Sequence, residues 1–145
     1  MKKIALLAIV LLCGCSVLGL DDTVEDGLRT EKSAWLRLDA HNYAYTYQKQ
    51  CFCGMVDPVR ITVAGDAIIS VTHHDNNGAV VSLPKTGYYT IPELYDYLIR
   101  VAGHAAELQV QYDHTNHLPA HVSADLAKNA IDDEFVITTG DFQKQ

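Results

Sequence analysis

The sequence predicts an α+β domain, in which two amphipathic helices pack on one face of an antiparallel sheet. Two segments, residues 22–40 and 90–103, carry apolar side chains at helical spacing. The segments between and after them alternate apolar and polar residues, which is typical of strands with one solvated face. Hairpin turns join the strands, and each helix must bury its apolar stripe, so the predicted order is α-β-β-(β)-α-β-β-β.

The first predicted helix covers residues 22–40. Asp22 and Glu25 have the spacing of a capping box, in which a side chain at each end of the first turn binds a free amide. Gly27 weakens the start of this helix, because glycine loses the most backbone entropy on folding. The apolar stripe consists of Val24, Leu28, Trp35 and Leu38.

A tyrosine-rich strand begins at Asn42 and presents two different faces. One face carries Tyr43, Tyr45, Tyr47, Cys51 and Cys53, and the other carries Ala44, Thr46, Gln48, Gln50 and Phe52. We interpret the tyrosines as core that faces the helices; the alternative is an exposed stripe that binds a sugar or a peptide. Two more strands, residues 59–64 and 67–74, flank Gly65-Asp66 as a tight hairpin, and residues 80–83 add a short strand.

The second helix has the clearest local signal in the chain. Thr90 and Glu93 form a capping box, Pro92 lies in the first turn where its missing N–H is harmless, and Gly103 ends the helix. Its stripe consists of Ile91, Leu94, Tyr95, Leu98 and Ala102. Three strands follow, with apolar positions at Leu108, Val110 and Tyr112, then Ala120, Val122 and Ala124, and finally Phe135, Ile137 and Thr139.

The first residues predict export. Lys2 and Lys3 precede an apolar stretch, residues 4–12, which is too short for a membrane span of roughly 20 residues. The sequence Leu12-Cys13-Gly14-Cys15 resembles the lipobox of bacterial lipoproteins, and an ordinary signal peptide cut elsewhere is the alternative. We therefore expect a removed signal peptide at residues 1–14, a lipidated tether at 15–21, and a single α+β domain at 22–145.

The lipobox resemblance implies diacylglycerol on the Cys15 sulfur and usually a further acyl chain on its amine. One chain binds a bilayer reversibly, whereas two or more anchor a protein stably. Ser16 follows Cys15, where an Asp usually signals inner-membrane retention. We expect an exported protein that is lipid-anchored to the membrane, on the outer membrane facing the periplasm if the cell is Gram-negative.

Charge excludes some partners. The formal net charge is −7, and cleavage would remove two lysines, so the mature chain would be more acidic still. Nucleic-acid binding and polybasic membrane binding both need clustered Lys and Arg, so we expect neither. The acidity itself is explained by solubility.

Four cysteines are present, and Cys51 and Cys53 are the pair that would remain unmodified in an oxidising compartment. Cysteines two apart on a strand have Cα atoms close to 7 Å apart, beyond the usual disulfide range, so a bridge requires the strand to pucker or end, which Gly54 permits. A structural disulfide, two packed free thiols, and a redox or metal-binding pair remain three open interpretations.

The tyrosine-rich run at 42–47, the sequence Cys51-Phe52-Cys53 and the run at 58–63 together resemble an uncharacterised family of bacterial lipoproteins, domain of unknown function six-one-seven-four. Later features of the chain fit as well: Leu94-Tyr95, Tyr112-Asp113, Asp125 and Asp132-Asp133-Glu134. The chain departs from the family at His117-Leu118-Pro119, where Gly-Tyr-Pro is common. The resemblance implies a membrane-tethered domain, and it supplies no catalytic residue.

No catalytic residue is predicted, because the sequence contains no phosphate loop, nucleophile elbow or zinc-protease helix. The histidines, which include His73-His74, His114, His117 and His121, are interpreted as solvated loop and strand-edge residues. We expect a non-catalytic binding or structural module of the cell envelope, without a cofactor, whose partner is an envelope protein or polymer. The alternative is a lipoprotein that handles thiols or copper and zinc through Cys51 and Cys53.

Overall fold

The helices and strands come from a computed structural model that describes residues 23–52, 54–55, 57–130 and 132–145. The elements in chain order are α1 (Val24–Arg37), β1 (Tyr43–Cys51), β2 (Gly54–Met55), β3 (Val59–Ala64), β4 (Ala67–His74), β5 (Val80–Ser82), α2 (Ile91–Ala102), β6 (Glu107–Asp113), β7 (Leu118–Asp125) and β8 (Phe135–Lys144).

The strands form one antiparallel sheet in the order β5-β4-β3-β1-β8-β7-β6, with β2 paired to the end of β1. The last strand of the chain, β8, therefore lies in the middle, between β1 and β7. This arrangement confirms the predicted α+β class, with two helices and an antiparallel sheet.

The predicted element order is wrong in the number of strands between the helices. In the part of the chain that the structure describes, five strands lie there, whereas the predicted order counts two or three and omits one of the four strand segments that the sequence indicates. One of them, β2, forms because β1 is longer than its neighbour: β3 pairs with Tyr43 to Tyr47, which leaves Gln50 and Cys51 to pair with Met55 and Gly54.

The hairpin between β3 and β4 has the predicted turn, and both strands have the predicted bounds. Gly65 and Asp66 have φ angles of 55° and 64°, so both adopt the left-handed conformation of a two-residue hairpin turn. Asp66 also binds His41 through its carboxylate, with an Oδ2–Nδ1 distance of 2.8 Å. This contact connects the hairpin to the segment that leads into β1.

The start of α1 differs from the prediction. The Thr23 hydroxyl accepts a hydrogen bond from the Asp26 amide at 3.2 Å, so Thr23, and not Asp22, is the N-cap. Val24 is 41% exposed and does not belong to the buried stripe. Leu28 and Trp35 are buried as predicted, and the helix ends at Arg37 rather than at residue 40.

The capping box of α2 is confirmed. The Glu93 carboxylate accepts from the Thr90 amide at 2.8 Å, and the Thr90 hydroxyl accepts from the Glu93 amide at 3.4 Å. These two bonds satisfy amides that the first helical turn leaves free. Gly103 is the C-cap, as predicted, although its φ of −72° is right-handed.

The tyrosine face of β1 is core, and the alternative of an exposed binding stripe is wrong. Tyr43, Tyr45 and Tyr47 are at most 3% exposed. The ring of Trp35 meets that of Tyr43 edge-on, with centroids 5.1 Å apart, and the Ile91 amide donates to the Tyr43 hydroxyl at 2.9 Å. Burial raises the pKa of Tyr43 to about 12, because the phenolate would lose its hydration there.

Candidate functional site

Cys15 and Cys53 lie outside the described residues, as do the predicted signal peptide at 1–14 and the tether at 15–21. Within the described part of the chain, no helix is long and apolar enough to cross a membrane. Export and lipid attachment at Cys15 therefore stay predictions.

Cys51 is the last residue of β1 and lies at a junction of three strands. It pairs with Gly54 of β2 on one side and with Phe135 of β8 on the other. Its side chain is partly buried against the core. Cys51 is disulfide-bonded, and its partner sulfur is not among the described residues, so the pairing with Cys53 stays a prediction.

A cleft of about 360 Å³ opens beside Cys51, at the end of β1. Its floor follows the register of four strands: Gln50 pairs with Val136, Val136 with Ser123, and Ser123 with Gln109. Directly opposed residues of neighbouring strands point the same way, so these side chains form one line across β1, β8, β7 and β6. We call the side of the sheet that carries this line, opposite to the tyrosines, the polar face.

The lining of the cleft includes acidic side chains and an exposed aromatic ring. Glu107, Asp125 and Glu134 contribute carboxylates, and Glu107 accepts a hydrogen bond from the Gln109 amide group at 2.6 Å. Phe52 is 74% exposed and presents a ring to the cleft. None of the described residues that line the cleft is Lys, Arg or His. The cleft thus offers amide, hydroxyl and carboxylate groups, and its charge disfavours an anionic ligand.

Family membership covers most of the chain, including all of the cleft. The chain belongs to the DUF6174 family. The model of this family of unknown function matches residues 27–144, which confirms the resemblance seen around the tyrosine-rich run and Cys51-Phe52-Cys53. No curated protein and no solved structure matches the chain.

Two histidines of the DUF6174 domain bind a carboxylate that the sequence did not single out. Glu31 of α1 bridges them, with Oε1 at 3.0 Å from His114 Nδ1 and Oε2 at 2.8 Å from His117 Nδ1. His121 is exposed on β7 and pairs with Gln111. Among the residues with described positions, no group of three His, Cys, Asp or Glu could hold a metal ion. The strand register places Cys51 in line with Phe135 and Ala124, whereas His121 lies in line with Thr138 and Gln48.

The sequence did not predict the cleft of the DUF6174 domain, because strands that are far apart in the chain form its floor. Gln50 and Gln109 both occupy polar positions of alternating strands, but only the position of β8 between β1 and β7 brings them into one line. A second feature did have a sequence signal: Lys49 falls between Tyr47 and Cys51, at a position of the apolar face. A charged residue in an apolar register is a sign of a special environment.

Proposed function

We propose that this DUF6174 protein is an exported lipoprotein, held on the outer face of a membrane by lipid on Cys15, whose domain binds an envelope polymer or protein without catalysing a reaction. The address follows from Lys2, Lys3 and the lipobox-like sequence that ends at Cys15. The observation that carries the binding role is the cleft beside Cys51.

We also propose that both helices cover the tyrosine face and leave the polar face open to a ligand. Trp35 of α1 and the Ile91 amide at the start of α2 both contact Tyr43. The Tyr95 hydroxyl of α2 donates to the carbonyl of His117, just before β7, at 2.9 Å. A single face for both helices makes the sheet a rigid platform, on which side chains of the polar face hold fixed positions.

The chemistry of the cleft suits a hydroxyl- or amide-rich ligand. Gln50, Gln109 and Ser123 provide donors and acceptors along one line, and Phe52 provides a ring at the edge. Binding sites of this kind combine an apolar surface with a few convergent polar groups. The carboxylates favour a neutral or cationic ligand, which agrees with an envelope polymer or a basic patch of a protein partner better than with nucleic acid.

The binding role is tested by co-sedimentation of the protein with isolated envelope polymer, and by recovery of crosslinked protein from whole envelopes. The test variant is Gln50→Ala/Gln109→Ala, which removes two floor side chains. The matched control is Gln111→Ala, because Gln111 is an exposed residue of the same strand as Gln109 outside the cleft. We expect the double variant to lose the polymer or a reproducible partner while the control retains it. Equal recovery with all three proteins would exclude the cleft.

The anchor is tested separately by growth with a clickable fatty acid. We expect the wild-type protein to be labelled and to partition with membranes, and Cys15→Ser to lose both properties. A Cys13→Ser variant is the control, since Cys13 would leave with the signal peptide. Labelling that persists in Cys15→Ser would contradict the lipobox interpretation.

A second candidate function is thiol-redox or metal handling by Cys51 and Cys53. One observation favours the redox part of this role: a disulfide-bonded Cys51 lines the cleft and is partly exposed. Metal binding would require reduction of this disulfide, because the thiolate is the metal ligand. Intact mass after alkylation, with and without prior reduction, together with elemental analysis, tests this role. Stoichiometric copper or zinc that is lost on alkylation would support it. Unchanged redox behaviour, metal content and stress tolerance in Cys51→Ser/Cys53→Ser would eliminate it.

A further inference from the structure

Lys49 is a partly buried cation surrounded by aromatic rings. Its ammonium nitrogen lies 4.9 Å from the ring centroid of Phe135 and 5.6 Å from that of Tyr97. Tyr97 in turn stacks on Tyr89, with centroids 5.2 Å apart. Over the part of the chain that the structure describes, no carboxylate forms an ion pair with Lys49.

This environment is incomplete for a charged group. Burial lowers the pKa of Lys49, because the ammonium group has lost part of its hydration. The faces of the two rings attract the cation but do not neutralise it. A partly buried ammonium group without a carboxylate partner can therefore pair with an anionic group of a ligand.

An open cavity of about 210 Å³ lies beside Lys49. Tyr47 and Tyr88 form part of its wall, with their rings edge-on at 5.9 Å, and Val59 adds an apolar surface. Gly87, which has a φ of +89°, brings the loop before α2 to the cavity in a left-handed conformation that other residues rarely adopt. The cavity is therefore lined mainly by rings and hydrocarbon, with Thr86 as a polar residue and Lys49 as the one cation among its described lining residues.

We propose that Lys49 and this cavity form a binding site for the carboxylate of a small organic acid with an apolar body. One monovalent cation matches one monovalent carboxylate, whereas phosphate sites usually combine several basic groups or backbone amides. The volume suits a small molecule, or the end of a longer one, because it is below the usual range for drug-sized ligands. The site goes beyond the proposed function, since it differs in location and charge preference from the acidic cleft.

The test is a titration of the isotope-labelled full chain in non-ionic detergent, followed by NMR of the backbone amides. The probes are benzoate, its neutral analogue benzamide, and inorganic phosphate. We expect saturable shifts at Lys49 and Gly87 with benzoate, and binding at least about tenfold weaker with benzamide and phosphate. Equal binding of benzamide, tighter binding of phosphate, or no saturable binding of benzoate would each overturn the proposal.

Two variants assign the binding to Lys49. Lys49→Met keeps the length and apolar stem of the side chain, and we expect it to weaken benzoate binding at least about tenfold. Lys128→Met is the control, because Lys128 is an exposed lysine outside the cavity. If Lys49→Met does not fold, Lys49→Gln replaces it. Undiminished benzoate binding by a folded Lys49 variant, or an equal loss with Lys128→Met, would overturn the assignment.

Discussion

The two ends of β1 share one face of the sheet and have opposite roles. At the first end, Tyr43, Tyr45 and Tyr47 are buried. The hydroxyl groups of the first two bind backbone groups at the start of α2 and in the loop just before it. At the second end, Lys49 and Cys51 are partly exposed, and each lines a cavity or cleft. The alternation of side chains continues along the strand, but the burial does not.

The comparison shows that the alternation of side chains along a strand and the length of strand that other elements bury are separate properties. The period is local, because successive side chains of a strand point to opposite faces. Whether a side chain of this face is buried depends on how far α2 and the loop before it extend along β1. Both lie about 40 residues further along the chain. Lys49 and Cys51 occur where the apolar register of β1 continues beyond the segments that bury it.

The largest expected loss of stability comes from a substitution in the buried part of β1. Tyr45→Ala removes a fully buried ring and leaves the Tyr89 carbonyl without its donor, so the free energy of unfolding should fall by about 3–5 kcal/mol. Chemical denaturation of the full chain measures this change. Gln50→Ala, on the polar face of the same strand, is the control and should change stability by less than about 0.5 kcal/mol. Similar losses in both variants would mean that the two faces of β1 do not differ.

A smaller loss of stability is expected when one hydrogen bond in the buried part of β1 is removed. Tyr43→Phe keeps the ring against Trp35 but leaves the buried Ile91 amide without its acceptor, and we expect a loss of about 1–3 kcal/mol. Denaturant unfolding and hydrogen exchange of the Ile91 amide test this together. If stability falls while exchange at Ile91 is unchanged, the loss comes from the ring packing and not from this bond.

Much of the fold is predictable because its signals are local. The bounds of β3 and β4 follow from alternation on either side of Gly65-Asp66, and the start of α2 follows from Thr90 and Glu93, which bind each other's amides. Membership in the DUF6174 family was likewise visible in a short run of residues. The strand bounds and the helix start are each decided within a few residues of sequence.

The candidate sites depend on contacts between distant segments, which sequence patterns do not encode. Gln50 and Gln109 line the same cleft only because β8 lies between β1 and β7. Lys49 contacts the rings of Phe135 in β8 and Tyr97 in α2. The N-cap of α1 was missed for a local reason: Asp22 and Thr23 are both good caps, and the choice between them depends on how the chain enters the helix.

Alkaline pH should lower the stability that Tyr43 contributes to the buried part of β1. The pKa of Tyr43 is raised to about 12 by burial, whereas an unfolded tyrosine titrates near 10. Its contribution to stability is therefore fully present below about pH 10 and is lost as the pH rises toward 12. We expect the free energy of unfolding to fall over this window, and to fall less steeply in Tyr43→Phe. Parallel profiles for the two proteins would show that folding does not raise the pKa of Tyr43.

The smallest effect concerns Lys49 and has the opposite sign. Burial lowers the pKa of Lys49 below the unfolded value of about 10.4, so at neutral pH its charge opposes folding, and that penalty disappears as the pH rises through this value. Lys49→Met should thus be at least as stable as the wild type at pH 7, and its advantage should shrink toward pH 10. Paired denaturation curves at several pH values measure this difference. A clear loss of stability in Lys49→Met at pH 7 would mean that the contacts with Phe135 and Tyr97 hold the fold together, and that both ends of β1 serve the core.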